Sequence, residues 1–412
     1  LVIAGLSSPG VADVAIVGGG PVGWAIALAS RLALGADARV IVCDPQRPQA
    51  PAAQAPLGAR VYLVAEGHLR WLLASGVRLP STRSAEVSRI EVLATDGRAQ
   101  LTIDASDAAA ERLGLTIEHD ALTAAIATRA QTLGVTQHSV RVEALAMLDG
   151  LRWVETTEGA LEASRLVVLA DGRHGALAER AGFERLERDY AQVGVVAHFR
   201  LGRRDGGAAR QWFLPDGSIL ALLPLADPQA SQDGAVGNSC VSMVWSCARE
   251  RGEALIGLSA AELTETVRAV AGATIDLAEC ISSPVAFPLT LARVADPVGE
   301  RILLAGDAAH AVHPLAGQGV NLGLADARVW QAVLAESGAV GRDAGHALLL
   351  ARYRRRRQAP VLAMQATIDG LWRLYNRAPT PLAELSGRLM RTLSPLPAFR
   401  HQLAGAAVQI AV

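Results

Sequence analysis

Gly18, Gly20 and Gly23 stand in the order G-x-G-x-x-G, and an acid, Asp44, follows 21 residues after the last of them. Glycines at those spacings permit a tight turn, close approach of a pyrophosphate to bare backbone, and close packing of a helix on a strand. The helix that follows offers N–H groups and a positive dipole end to the phosphates, and Asp44 can accept both hydroxyls of a ribose. The chemistry is dinucleotide binding; the motif alone does not distinguish NAD from FAD. Further on, RILLAGDAAHAVHPLAGQGVNLGLAD over 301–326 sets Asp307 at a strand end and Gly317, Gly319 and Asn321 before a helix. A carboxylate there suits a polyol chain, and the glycine turn aims N–H groups at whatever lies in front, which suits a ring that becomes anionic on reduction.

Such residues need elements to hold them. Residues 13–44 read as a complete βαβ unit: a β-branched run, a glycine turn, an apolar helical pattern and a second β-branched run ending in Asp44. LVVLADG near 166 and ILLAGDAA near 302 read as two more strands of the same parallel sheet, so three strands are predicted to end at one site. Between 190 and 247 the pattern changes to alternating and β-branched segments separated by Gly, Pro and Asp, which predicts an antiparallel sheet. Phe199, Trp212, Phe213, Leu220, Leu222, Leu223 and Trp245 come from it, and one of its faces is expected to form an apolar pocket. The Pro/Ala-rich stretch 50–59 reads as a loop, and the chain from about 346 onward as helical, with Leu382, Leu385, Leu389 and Leu393 on one stripe beside Arg388 and Arg391.

Composition removes several alternatives. With 39 basic and 40 acidic residues there is no charge field for a nucleic-acid partner. The chain contains no Lys, which excludes Schiff-base chemistry and a phosphate loop built on Lys. Cys43, Cys240, Cys247 and Cys280 lack the spacing of a metal site or a disulfide framework and are expected to be buried thiols in a reducing compartment; no metal is expected. No signal peptide or spanning helix is visible, so the expected location is cytoplasmic.

The motifs GGGPVG at 18–23, ADGRHG at 170–175 and LLAGDAAHAVHPLAGQGVNLGLAD at 303–326, with weaker matches in LGLTIEHDAL and LALLPL, resemble the class A FAD-dependent aromatic monooxygenases and, within them, the ubiquinone-biosynthesis hydroxylases. The resemblance spans nearly the whole chain. It implies an α/β fold: a Rossmann-like FAD-binding domain (1–75, 101–180 and 287–345) interleaved with an antiparallel-sheet substrate domain (76–100 and 181–286), then a C-terminal helical region (346–412). Gly18, Gly20, Pro21, Val22, Gly23 and Asp44 would hold the ADP half of FAD. Gly306 and Asp307 would meet the ribityl chain, and Pro314, Gly317, Gln318, Gly319, Val320 and Asn321 would line the flavin ring. Arg60, His119 and Asp171 fall where the family has further cofactor contacts, although Gly175 replaces the family's usual Ser and RVYLV replaces its Arg-x-x-Ala-Leu.

The activity implied is hydroxylation of a polyprenyl phenol on the route to ubiquinone, using NADH or NADPH and O2 through a flavin C4a-hydroperoxide. The alternatives are a hydroxylase of a small soluble aromatic compound and a non-catalytic flavoprotein partner of quinone-pathway enzymes. His310 and His313 are candidate proton relays, with a hydrogen-bonded structural role as the competing reading. Residues 352–400 hold ten Arg against two acids, which could rest on an anionic membrane at its inner face or form a protein interface, for instance in a complex of quinone-pathway enzymes.

Overall fold

In the computed structural model, residues 10–93, 99–159, 161–173, 175–228, 238–311, 318–336, 343–376, 401 and 403–405 are described. Val14–Val17 (β1) lies in the middle of a six-stranded sheet and is buried on both faces, which is why it reads as an unbroken apolar run. Val40–Cys43 (β2) and Val167–Leu169 (β12) flank it in parallel. Thr136–His138 (β8) extends the sheet past β2, Ile302–Leu304 (β20) extends it past β12, and Val298–Gly299 (β19) closes it as an antiparallel edge. Val17 pairs with Leu169 and Leu169 with Leu304, so the loops after β1, β12 and β20 leave the same end of the sheet. Pro21–Leu34 (α1) and Gln318–Ala335 (α7) cover one face with Glu66–Ala74 (α2) and His119–Thr132 (α3), burying Trp24 and Trp330. The other face carries a three-stranded meander, Val142–Leu148 (β9), Leu151–Thr156 (β10) and Leu161–Ser164 (β11), and the short Leu177–Arg180 (α4).

A small sheet of Val61–Ala65 (β3), Gly114–Glu118 (β7) and Ser84–Val87 (β4) leads to the large one. That nine-stranded sheet runs His310–Ala311 (β21), Val285–Val294 (β18), Arg185–Asp205 (β13), Asn238–Ala248 (β16), Ile219–Leu225 (β15), Ala208–Phe213 (β14), Arg89–Leu93 (β5) and Ala99–Asp104 (β6), with Leu277–Cys280 (β17) beside β13. Its pairs are antiparallel except β14 with β5. Arg249–Ile256 (α5) and Ala260–Ala271 (α6) cover one face; α6 starts with a capping box between Ser259 and Glu262, which satisfies end N–H groups.

The boundaries drawn from sequence at 100 and 287 fall inside β6 and β18, both strands of the large sheet, and β4 pairs with β7 across the expected division. Local pattern shows that a strand exists; which sheet it joins depends on a partner far away in sequence. The four cysteines are free, three buried and Cys280 half-buried, and burial pushes the Cys43 and Cys240 thiols up to about 12.

Ala347–Asn376 (α8) is a 30-residue helix containing Pro360. Its Arg run is largely spent within the protein: Arg354 pairs with Asp296 at 2.7 Å, Arg352 and Arg356 with Glu336, and Arg357 is buried against Asp326. Of the Arg-rich stretch 352–400, these residues pair within the protein, while residues 377–400, with the Leu382–Leu393 stripe, lie outside the described residues. Among the described residues no helix is long and apolar enough to cross a membrane.

Candidate active site

The turn after β1 is built almost wholly from backbone. Gly18 has φ +108, and a Cβ there would stand 2.3 Å from the Ala170 carbonyl oxygen, so a side chain is excluded by conformation and by space. A Cβ on Gly23 would stand 2.0 Å from the Gly18 carbonyl oxygen: α1 starts hard against β1. At Gly20 a Cβ would meet no atom within 4 Å. That open side, before the N-terminus of α1, has the form of a cradle for an anion. The first turn of α1 has Pro21 at its start, no acidic residue and no side-chain cap, so its N–H groups and dipole face outward without competition.

Asp44 follows β2 and accepts from the backbone N–H of Gly19 and of Gln46, both at 2.7 Å. Two bonds leave a carboxylate with further lone pairs for ribose hydroxyls. Gly19, Gly20, Asp44, Arg47, His119 and Asp120 line a cleft of ≈ 460 Å³. His119 begins α3, its Nδ1 lies 2.8 Å from the Tyr62 hydroxyl, and burial chiefly holds its pKa below the usual value, so the ring is neutral at pH 7. Tyr62 itself was not singled out from the sequence; it lies inside RVYLV, the segment that departs from the family pattern. Burial and then the neighbouring Asp307 raise its hydroxyl pKa.

Asp307 follows β20. Its side chain remains open to solvent, yet enough protein surrounds it to raise the carboxyl pKa against the pull of His310, Arg173, Arg60 and Arg185. A Cβ on Gly319 would come within 3.7 Å of the Asp307 Oδ1, which places the start of α7 beside this acid. Val22 packs at the crossing of α1 with α7, where a Cβ on Gly323 would stand 2.3 Å from its Cγ2.

Asn321 ties two elements together. It is buried, its Oδ1 accepts from the Ala65 N–H at 2.9 Å and its Nδ2 donates to the Leu63 carbonyl at 2.8 Å, tying α7 to β3. Val320 is buried in the core beside it. His310 sits behind the glycine-acid loop with Nε2 at 2.9 Å from Asp326 Oδ2. Asp326 also accepts from Arg357 Nε at 2.7 Å and the Gly306 N–H at 2.8 Å. Burial would raise the Asp326 carboxyl pKa, but His310 and Arg357 hold it well below the usual range. His313, Pro314 and Gly317 lie outside the described residues, and of Gln318 only the backbone, at the start of α7, is described.

Asp171 lies two residues after β12, and burial chiefly raises its carboxyl pKa. A Cβ at Gly175 would overlap the Asp171 Oδ2 at 1.9 Å. The departure from the family's Ser therefore makes room for this carboxylate. Arg60 is exposed, its carbonyl accepts from the N–H of the cleft residue His119 at 2.9 Å, and its guanidinium stands over the Phe287 ring of the large sheet at 5.4 Å.

The register of that sheet sorts the aromatic and aliphatic residues singled out from its sequence. Phe199, Trp212, Leu220, Leu222 and Trp245 are fully buried in the cluster beneath α5 and α6. They form the core side. Phe213 and Leu223 point the other way, with Val196, Ala221, Val244 and Phe287. This second face meets the cofactor part through Leu223 against Leu63, Phe287 under Arg60, and His198, whose Nε2 lies 2.9 Å from the Gly58 carbonyl oxygen. His198 is buried, which lowers its pKa, so the neutral ring donates Nε2–H to Gly58.

Comparison with known proteins agrees with this geometry. A family model described as an FAD binding domain matches residues 11–367. Ubiquinone hydroxylase UbiL of Rhodospirillum rubrum is 32% identical, over 92% of this chain and 85% of that protein. Ubiquinone biosynthesis monooxygenase COQ6, mitochondrial, of Xenopus tropicalis is 28% identical, over 94% and 90%. Among solved structures, p-nitrophenol 4-monooxygenase PnpA from Pseudomonas putida DLL-E4 superposes with a TM-score of 0.73 at 17% identity, covering 98% of this chain and 99% of that one, a likeness of fold.

Proposed function

The chain belongs to the FAD-binding family of flavin-dependent aromatic monooxygenases, and from that premise we propose that it hydroxylates the ring of a polyprenyl phenol in ubiquinone biosynthesis, using NADH or NADPH and O2. The observation that carries the reading is the meeting of two surfaces at Arg60 and Phe287: a backbone cradle for a dinucleotide and an apolar sheet face. The residues fit FAD, since the open side of Gly20 takes the pyrophosphate, Asp44 the ribose and Asp307 the ribityl chain. The chemistry supplied by bound FAD is two-electron reduction by the nicotinamide and transfer of one oxygen atom from O2 to the ring. The protein's part is to hold, orient and keep water out. Arg60 and the N-terminus of α1 offset anionic charge, and the apolar sheet face dries the side on which the phenol lies.

The part built on the six-stranded sheet holds the cofactor, and the part built on the nine-stranded sheet covers the substrate. A phenol with a long isoprenoid tail resides in a bilayer, which supports peripheral membrane work; retention on anionic vesicles at physiological salt tests this, and free protein in the flotation assay overturns it. For the reaction, the purified yellow protein is given NADH or NADPH, oxygen and a prenylated phenol. Substrate-dependent oxygen uptake with a product heavier by one oxygen atom is expected. Turnover of small soluble phenols alone would move the substrate to that class, and retained FAD without substrate-dependent uptake would favour a non-catalytic partner.

A further inference from the structure

Residues 51–59, PAAQAPLGA, form neither helix nor strand, yet they lead directly to Arg60. A segment without a ladder of its own is held in place only by what bonds to it. Three buried polar side chains do so here. Arg83, just before β4, donates from Nη2 to the carbonyls of Ala52 and Ala55, the latter at 2.7 Å, and from Nη1 to Glu118 Oε1 at 2.9 Å. Glu118, at the end of β7, accepts with Oε2 from the Gly58 N–H at 2.8 Å. His198 of β13 donates Nε2–H to the carbonyl of the same Gly58 at 2.9 Å, while its backbone N–H donates to Ser282 Oγ at 2.8 Å.

Gly58 is thus gripped from two sides, its N–H by the small sheet and its C=O by the large one. Two residues on, the Arg60 carbonyl accepts from the His119 N–H, β3 begins at Val61, and the guanidinium stands over Phe287 from the strand next to β13. Stability alone does not account for this arrangement. A buried ion pair contributes no more than an apolar pair of the same size, because both charges give up their water. What Arg83 and Glu118 add is direction: each bonds the other and then the loop, so the pair fixes a stretch of backbone that has no other regular support.

Resting on the reading above that Arg60 offsets anionic charge at the flavin, we infer that His198, Glu118 and Arg83 are positioning residues for Arg60. They fix Gly58, and through it the place from which the Arg60 guanidinium reaches out. His198 is the member that matters most, because it runs from the large sheet to the segment carrying a cofactor residue and so sets the charge at the flavin by the position of that sheet.

The test is a double-mutant cycle on the full chain, read by FAD affinity in fluorescence titration and by the midpoint potential of the bound flavin. Arg60→Met is expected to weaken FAD about tenfold and to lower the potential, since a cation beside the ring favours its anionic reduced form. His198→Leu moves both in the same direction, by about fivefold in affinity, and the double variant is no weaker than Arg60→Met alone. His198→Gln, whose carboxamide keeps an N–H donor, recovers affinity to within about twofold of the wild type. Should His198→Leu fail to fold, the paired change Arg83→Met with Glu118→Gln leaves no unpaired buried charge and shows the same dependence on Arg60, at about threefold. Effects that multiply, to about fiftyfold in the double variant, mean that His198 acts on the cleft without Arg60 and overturn the inference. Wild-type affinity and potential in His198→Leu overturn it as well, and in both cases the hydroxylase reading stands. An Arg60→Met protein with unchanged affinity and potential removes Arg60 from the flavin, and that part of the reading falls together with the inference.

Discussion

The cofactor cleft and the large sheet solve the problem of positioning in opposite ways. In the cleft the contact surface is backbone: Gly18, Gly20 and Gly23 contribute by lacking side chains, and Asp44 is oriented by the N–H of Gln46, two residues on, and of Gly19 on the loop after the neighbouring strand. On the sheet the surface is made of side chains, and a shift of one residue exchanges the face under α5 and α6 for the face toward the cofactor. The backbone site is therefore intolerant of added atoms and indifferent to most neighbours.

The largest effect should come where the backbone site is tightest. Gly23→Ala puts a methyl group 2.0 Å from a carbonyl that cannot move without α1 moving, so the chain is expected to lose about 3 kcal/mol or more and to purify without flavin, as read by thermal unfolding and absorbance near 450 nm. Asp326→Ala leaves Arg357 buried without its carboxylate and should cost about 3–5 kcal/mol in urea unfolding. The sheet's core face is next: Leu222→Ala should cost about 3 kcal/mol while leaving KM for the phenol unmoved, because Leu222 faces α5 and α6. A change in KM for the phenol at Leu222 would erase the distinction between the two faces.

Gly20→Ala sharpens the contrast within one motif. Its φ of −73 suits any residue and its Cβ would meet nothing, so apoprotein stability should stay within about 0.5 kcal/mol, while FAD affinity, measured by fluorescence titration, falls about tenfold.

The smallest effect has the opposite sign. Asp307 has a raised folded-state pKa, so its contribution to apoprotein stability is present at low pH and lost as pH rises from the unfolded value near 4 through the folded one. Asp326 has a depressed pKa, so its contribution is present above the unfolded value and lost as pH falls through the folded one. Asp307→Asn should then make the apoprotein slightly more stable at pH 7 while weakening FAD, and Asp326→Asn should make it less stable; melting temperatures of both at pH 7 check the signs.

Much of the proposed cofactor site can be read in the sequence because its residues are neighbours in sequence and its geometry is local. Gly18 to Gly23 with Asp44 needed only one βαβ unit, and Asp307 only the end of one strand. Asn321 and His310 were harder: nothing in VNLG shows that an amide will bridge Leu63 and Ala65 of β3, or in AAHA that a ring will turn back to Asp326. Tyr62 gave no signal beyond a break in pattern, and Gly175 gave one whose meaning, room for the Asp171 carboxylate, appears only with both residues in place.

Alternation in QWF, ILALLPL and SCVSMVWSC determined that strands form and that each has two unlike sides. Glycine spacing and unbroken β-branched runs marked the expected dinucleotide turn, its acid and the parallel strands that bring three loops to one end. The tertiary structure alone decided which side of the large sheet is core, which strands cross the expected boundaries at 100 and 287, and that the Arg run at 354–357 is mostly paired within the protein. The physical reason is reach: turns and helix starts are settled by residues a few positions apart, whereas register, sheet membership and ion pairing are settled by partners a hundred or more residues away, whose positions no local pattern encodes.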